Sequence, residues 1–189
     1  MARTRDVSNV LVQPFAVTLG TSNYRAGVNA GNSIVSGGNF IVCVGDEAGT
    51  AITTGDYNVA LGKSSLQATT TGSENIAVGA VALAANILGS FSTAIGSGSL
   101  QTQNYATATS AYNTAVGYAS GAAVTTGIRN ILIGALAGDG LTDADENTVL
   151  GTFALSADTL GSKSTALGKG TLGAQNFTTA TDTYNTAVG

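Results

Sequence analysis

The sequence predicts an all-β chain, a parallel β-solenoid or β-roll fibre of 17-residue turns with a 21-residue turn every fourth. Three observations predict it. A glycine preceded by one aliphatic residue recurs at positions 45, 62, 79, 96, 117, 134, 151, 168 and 189, in steps of 17, 17, 17, 21, 17, 17, 17 and 21. A fixed short period of this kind marks stacked structural units. Seventeen residues are too few for a helical hairpin with its loops, and no stretch sustains a 3.6-residue apolar period. The composition agrees, with 26 glycines among 189 residues and only 10% charged side chains, unlike an ordinary globular domain.

Residues 1–26 do not follow the glycine ruler. Val10-Leu11-Val12 and Phe15-Ala16-Val17-Thr18-Leu19 are strand-like pieces around Pro14, the only proline, and read as a separate head or anchor. Residues 27–44 form a transition in which the glycine spacing is irregular. Residues 45–189 are the repeat shaft. Gly189 ends on a repeat motif, where solenoids carry an atypical capping unit, so the expectation is that the shaft continues beyond it.

Each repeat has a strand signal, Asn-Thr-Ala-Val-Gly or a variant, as in Asn75-Ile76-Ala77-Val78-Gly79 and Asn113-Thr114-Ala115-Val116-Gly117. The residue before the glycine is aliphatic in every copy: Val44, Leu61, Val78, Ile95, Val116, Ile133, Leu150, Leu167 and Val188. This row is the expected repeat core. Two residues earlier stands Thr, Val or Ile, types that suit a pleated strand. The residue between them is mostly small and points to the opposite face, which is expected to pack closely against a partner chain. After the glycine comes a second element, a small residue and then leucine, as in Gly79-Ala80-Val81-Ala82-Leu83. Two short strands per turn are expected, with glycine at the corners, where sharp turns cost it nothing. Stacking at about 4.8 Å gives eight intervals of roughly 40 Å. The position four before the ruler glycine is Asn or Ser in most copies, and stacked asparagines bond along a ladder.

A longer period of 72 residues overlies the ruler: Gln103-Asn104-Tyr105 returns as Gln175-Asn176-Phe177, and Tyr112-Asn113 as Tyr184-Asn185. The 21-residue turn therefore carries a lateral bulge whose aromatics cover the flank of the next turn. Cys43, the only cysteine, falls in the small position and reads as a small buried hydrophobe.

No catalytic set, cofactor site or metal site is read from the sequence. Histidine is absent, which removes the commonest general base. Asp56 and Glu74 fall in nearly equivalent positions of adjacent turns, as a carboxylate pair would, but read better as solvated corners. The acidic run Asp139, Asp143, Asp145 and Glu146 lacks a recognised calcium-loop spacing. Threonines 93, 114, 148, 165 and 186 form an array that Val42, Val59, Ile76 and Ile131 interrupt, which weakens an ice-binding reading. A net charge of −4 argues against nucleic acid or an anionic membrane as partner. No apolar run is long enough for a membrane-spanning helix. A core so poor in large side chains is thin for a lone chain, so association with copies of itself is expected.

The Asn-Thr-Ala-Val-Gly motif, the following small residue and leucine, and the Thr-Thr-Gly corner resemble the repeats of bacteriophage tail fibres. They are also similar to the head repeats of trimeric autotransporter adhesins of the YadA-like, haemagglutinin type. The resemblance covers residues 38–189 and implies a left-handed parallel β-roll with three chains side by side, a homotrimer; the 17-residue period departs from the shorter adhesin repeats and leaves interwoven chains as an alternative. An adhesin would open with a signal peptide, whereas this chain opens with a short polar segment, which favours a phage fibre assembled in the host cytoplasm. The resemblance then implies that residues 1–26 attach to a tail or adaptor protein of the virion through Arg3, Arg5, Val10, Leu11 and Phe15. A region beyond this chain would meet the host surface. The alternatives are a bacterial surface adhesin head and a polysaccharide-degrading tailspike.

Overall fold

The computed structural model describes residues 20–189. The expected attachment residues Arg3, Arg5, Val10, Leu11 and Phe15 lie outside the described residues. Those described form a single all-β coil with no helix. Its strands are β1 (Tyr24–Ala26), β2 (Val42–Val44), β3 (Val59–Leu61), β4 (Ile76–Val78), β5 (Gly89–Ser90), β6 (Thr93–Ile95), β7 (Thr109–Ser110), β8 (Thr114–Val116), β9 (Ile131–Ile133), β10 (Thr148–Leu150), β11 (Gly161–Ser162), β12 (Thr165–Leu167), β13 (Thr181–Asp182) and β14 (Thr186–Val188).

Ten of these stack into one parallel sheet in the order β1-β2-β3-β4-β6-β8-β9-β10-β12-β14. Register is residue for residue: Ala60 pairs with Ala77, Ala77 with Ala94, and Ala94 with Ala115 across the first 21-residue step. Nine steps of the usual parallel strand spacing make the sheet roughly 43 Å long. The first rung lies earlier than the expected boundary at residue 26, because β1 already pairs with β2 over an 18-residue turn. The glycine ruler starts one copy sooner than its aliphatic signature, since Gly27 is preceded by Ala26.

Only one strand per turn recurs. The second expected strand is instead a tight turn, yet it too is laddered: Leu66 N–H bonds Ala82 O at 3.0 Å and Leu83 N–H bonds Ser99 O at 3.0 Å. The cause is backbone handedness. The fourth residue after each ruler glycine is left-handed, at φ +48° for Leu66, +50° for Leu83 and +46° for Leu100, a conformation incompatible with a β-strand.

That fourth position governs the core. Where it is leucine, the residue three further on is small or polar: Leu66 with Thr69, Leu83 with Asn86, Leu100 with Gln103, Leu155 with Asp158, Leu172 with Gln175. Where it is glycine, the same later position is a large aliphatic: Gly31 with Ile34, Gly49 with Ile52, Gly121 with Val124, Gly138 with Leu141. The two positions share one packing volume. A Cβ on Gly138 would sit 2.8 Å from Leu132 Cδ2 and 2.9 Å from Leu141 Cδ1. Interiors packed to crystalline density admit one side chain there, not two.

The expected repeat core is the main correction. Val44, Leu61, Val78, Ile95, Val116, Ile133, Leu150, Leu167 and Val188 all lie on the outward face of the sheet, and none is buried. The residues between the two outward columns face inward instead. Cys43, Ala60, Ala77, Ala94, Ala115, Leu132, Val149 and Ala166 are fully buried. The turn's interior is narrow and is already filled by the leucines and aliphatics that follow each glycine, so the strand can place only a small side chain against them. Leu132 is large because Gly121 and Gly138 both leave room: a Cβ on either would meet its methyl groups at 2.6 and 2.8 Å.

The asparagine ladder forms inside the coil. Asn58, Asn75, Asn113, Asn130 and Asn147 are fully buried. Asn147 N–H bonds Asn130 Oδ1 at 3.0 Å, and Asn130 Nδ2 bonds Ala144 O at 2.7 Å. Ser92 and Ser164 interrupt the ladder just before each 21-residue turn. There a glutamine supplies the missing amide: Gln103 Nε2 donates to Ser92 Oγ at 3.0 Å, and Asn113 Nδ2 donates to Gln103 Oε1 at 2.9 Å. Gln175 repeats this with Ser164 and Asn185 at 3.2 and 2.7 Å. Tyr105 is buried in the first bulge and donates its hydroxyl to Gly127 O at 2.8 Å. Burial pushes its phenol well above the ordinary tyrosine range, the Asn113 hydrogen bond opposing. Beyond it Ala106, Thr107 and Ala108 are exposed.

Candidate functional site: the outward sheet face and its edges

The outward face carries two columns along the coil. One holds Tyr24, Val42, Val59, Ile76, Thr93, Thr114, Ile131, Thr148, Thr165 and Thr186, the other the aliphatic row from Val44 to Val188. Ile95, Leu150 and Leu167 of the aliphatic column and Ile76 and Ile131 of the other are each 40–44% exposed, and the aliphatic column is apolar on every rung from Val44 to Val188. Contiguous exposed apolar area of this extent marks an interaction surface. The threonine array is on this face, but the aliphatic column beside it makes the surface mixed.

One edge of the face is a ladder of the residues five before each ruler glycine: Phe40, Tyr57, Glu74, Phe91, Tyr112, Arg129, Glu146, Lys163 and Tyr184. All have left-handed backbones, at φ between +49° and +62°, which turn the side chain out of the coil at the corner. Two aromatic pairs stack along the fibre axis. Phe40 and Tyr57 lie 4.9 Å apart at 8°, Phe91 and Tyr112 5.1 Å apart at 17°. Lower on the ladder, Arg129 Nη1 meets Glu146 Oε1 at 3.4 Å. Lys163 Nζ pairs with Asp182 at 2.5 Å and lies 5.3 Å from the Tyr184 ring centroid. These contacts raise the lysine's affinity for its proton, Asp182 most. Tyr57, Glu74 and Ile76 line a shallow open depression between the two aromatic pairs.

Comparison with protein families, curated proteins and solved structures returns no match. The chemistry of the surface therefore rests on its own geometry. Asp56 and Glu74 are engaged differently. Asp56 Oδ1 accepts Asn39 N–H at 2.7 Å and Asn39 Nδ2 at 3.1 Å, capping the preceding corner, whereas Glu74 stands exposed on the edge ladder. Three members of the acidic run are likewise engaged with protein groups. Asp143 accepts the Thr126 hydroxyl, Asp145 accepts Ile128 N–H at 2.7 Å, and Glu146 takes Arg129. Burial raises the affinity of Asp145 for its proton, and the Ile128 hydrogen bond opposes this. Burial likewise raises that of Asp139, whose Oδ1 has no hydrogen-bond partner. Among the described residues no group of three or more His, Cys, Asp or Glu side chains is placed to hold a metal ion, and no helix is long and apolar enough to cross a membrane.

Sequence reasoning missed the edge ladder. Its signal was present as Phe, Tyr, Glu, Arg or Lys immediately before the ladder asparagine or serine, at a fixed distance from every ruler glycine. The mixture of aromatic and charged types hides the common feature, which is a left-handed corner pointing outward.

Proposed function

We propose that this chain is the shaft of a structural fibre, a phage tail fibre subunit, whose copies associate through the outward face of the sheet. The observation that carries the reading is that face. It repeats the same apolar stripe on every rung, so a copy laid alongside meets equivalent residues along its full length. A coil whose buried polar side chains are taken up by internal ladders supports a role in spanning distance. The homotrimer, the attachment of residues 1–26 to the virion and a host-binding region elsewhere in the fibre follow from the resemblance of the repeats.

Two measurements test the reading. Sedimentation equilibrium is expected to give three times the 18.6 kDa chain mass, and a stable monomer would refute association. Deleting residues 1–26 is expected to abolish incorporation into virions while leaving a rod visible by electron microscopy; normal incorporation refutes the attachment role. The exposed stacked aromatics favour one second reading, a surface adhesin, for which the isolated repeats would bind glycans on an array.

A further inference from the structure

Three charged side chains, Lys63, Lys169 and Glu74, flank the outward face without a partner, and Lys63 and Glu74 are of opposite charge and one rung apart. Lys63, directly after Gly62, stands at one edge of β3, and Glu74 stands on the ladder at the other edge, one rung on; both are exposed. Neither side chain makes a hydrogen bond or ion pair among the described residues. The other charged members of the ladder are satisfied within the chain, Glu146 by Arg129 and Lys163 by Asp182. Within its own chain Lys63 forms no ion pair with Glu74, which stands at the opposite edge of the face beyond β3.

We infer that Lys63 of one copy pairs with Glu74 of the next, locking neighbouring shafts in parallel and in register. The inference rests on the association proposed above and names the contact that orients it. When parallel copies turn this face toward a common axis, the leading edge of each meets the trailing edge of its neighbour, a head-to-tail arrangement that closes into a ring. Heights along the axis then follow from the coil. Lys63 lies six residues past Tyr57 in a 17-residue turn, hence roughly 1.7 Å above it, and Glu74 lies about 4.8 Å above Tyr57. With all copies at the same height, Lys63 arrives between the Tyr57 ring and the Glu74 carboxylate, at the depression these two line with Ile76. The chain already contains this constellation, in Lys163 held between Asp182 and the Tyr184 ring. A second observation follows the same geometry. Tyr118, 64% exposed, directly follows Gly117 and so meets the ladder between Tyr112 and Arg129, where its ring faces a guanidinium. An antiparallel neighbour brings neither pair together.

The test is zero-length crosslinking of the intact chain with a carbodiimide, alongside sedimentation. Covalent species at multiples of 18.6 kDa are expected on a denaturing gel, with a Lys63–Glu74 isopeptide identified by mass spectrometry. Mixing isotopically light and heavy chains before refolding shows that the link joins different copies. Lys63→Gln and Glu74→Gln should each abolish that link. Lys63→Glu and Glu74→Lys should each weaken association by about threefold or more per contact, and the double reversal should restore it. An oligomer lacking the Lys63–Glu74 link, or a double reversal no better than the singles, overturns this pairing and leaves the shaft reading standing. A monomer by sedimentation overturns both.

Discussion

At the residue scale, one buried volume per turn is filled in one of two ways, and the alternation is testable. Gly138→Leu puts a second large side chain beside Leu141 and Leu132, and overpacking of this kind costs about 1–3 kcal/mol. The left-handed backbone is not the obstacle, since Leu66 holds leucine there at φ +48°. Gly138→Leu combined with Leu132→Ala and Leu141→Thr copies the Ala60, Leu66 and Thr69 arrangement and is expected to recover most of the lost urea midpoint. Asn130→Ala removes a rung of the asparagine ladder. It strands the Asn147 N–H and Ala144 O that Asn130 now satisfies, at about 1–3 kcal/mol for each buried group left unpaired. Cys43 is fully buried beside Gly49, and burial pushes its thiol up to about 12, against the lowering influence of Arg25. The thiolate is the reactive form, so a maleimide at pH 8 is expected to leave the folded chain unlabelled and to modify it once denatured. Labelling of the native fibre at the rate of a free thiol would contradict this.

At the element scale, a rung works as a unit of three linked positions: the ladder Asn or Ser, the inward strand residue, and the pair that follows the glycine. Ser92 and Ser164 differ from the asparagines because Gln103 and Gln175 lend them an amide from the 21-residue turn. Gln103→Ala should therefore destabilise by about as much as a ladder asparagine. Ser92→Asn alone crowds the glutamine, and Ser92→Asn with Gln103→Thr rebuilds the Asn58 and Thr69 rung. Thermal unfolding orders the variants; a double change destabilised by the sum of Ser92→Asn and Gln103→Thr alone would show that the positions are independent. Much of this unit was legible in the sequence. The period, the parallel register, the asparagine ladder and the burial of Cys43 follow from spacing alone, because identical rungs must stack identically. Which strand face points inward was not legible. An aliphatic column beside a small one suggests that the large side chains are buried, and that inference assumes a roomy interior. The fill from Leu66, Leu83, Ile52 and Leu141 removes that room, and nothing in the strand motif itself reports it. The second strand failed for a similar reason. Leucine sits comfortably in strands, and only its exchange with Gly121 and Gly138 hints at a left-handed backbone.

At the scale of the whole molecule, reversing the two faces changes where association should be sought. The inward alanines are closed to any partner, whereas the aliphatic column and its β-branched neighbour are open along the entire sheet. Substitutions on the two faces should therefore separate folding from assembly. Ala94→Leu forces a large side chain against a filled interior and is expected to unfold or loosen the coil, read as loss of the parallel-sheet signal in circular dichroism. Ile95→Lys changes the adjacent residue, already 40% exposed, and should leave that signal and its melting in the isolated chain within about 0.5 kcal/mol of the original. Repeated on several rungs, as Ile95→Lys, Ile131→Lys and Leu150→Lys, it places like charges opposite one another in every copy and removes the apolar area that association buries. Sedimentation should then fall to the mass of one chain while the spectrum persists. Persistence of the oligomer with all three lysines in place would move the contact off this face, and loss of the spectrum together with the oligomer would mean that a rung cannot stand without its neighbours.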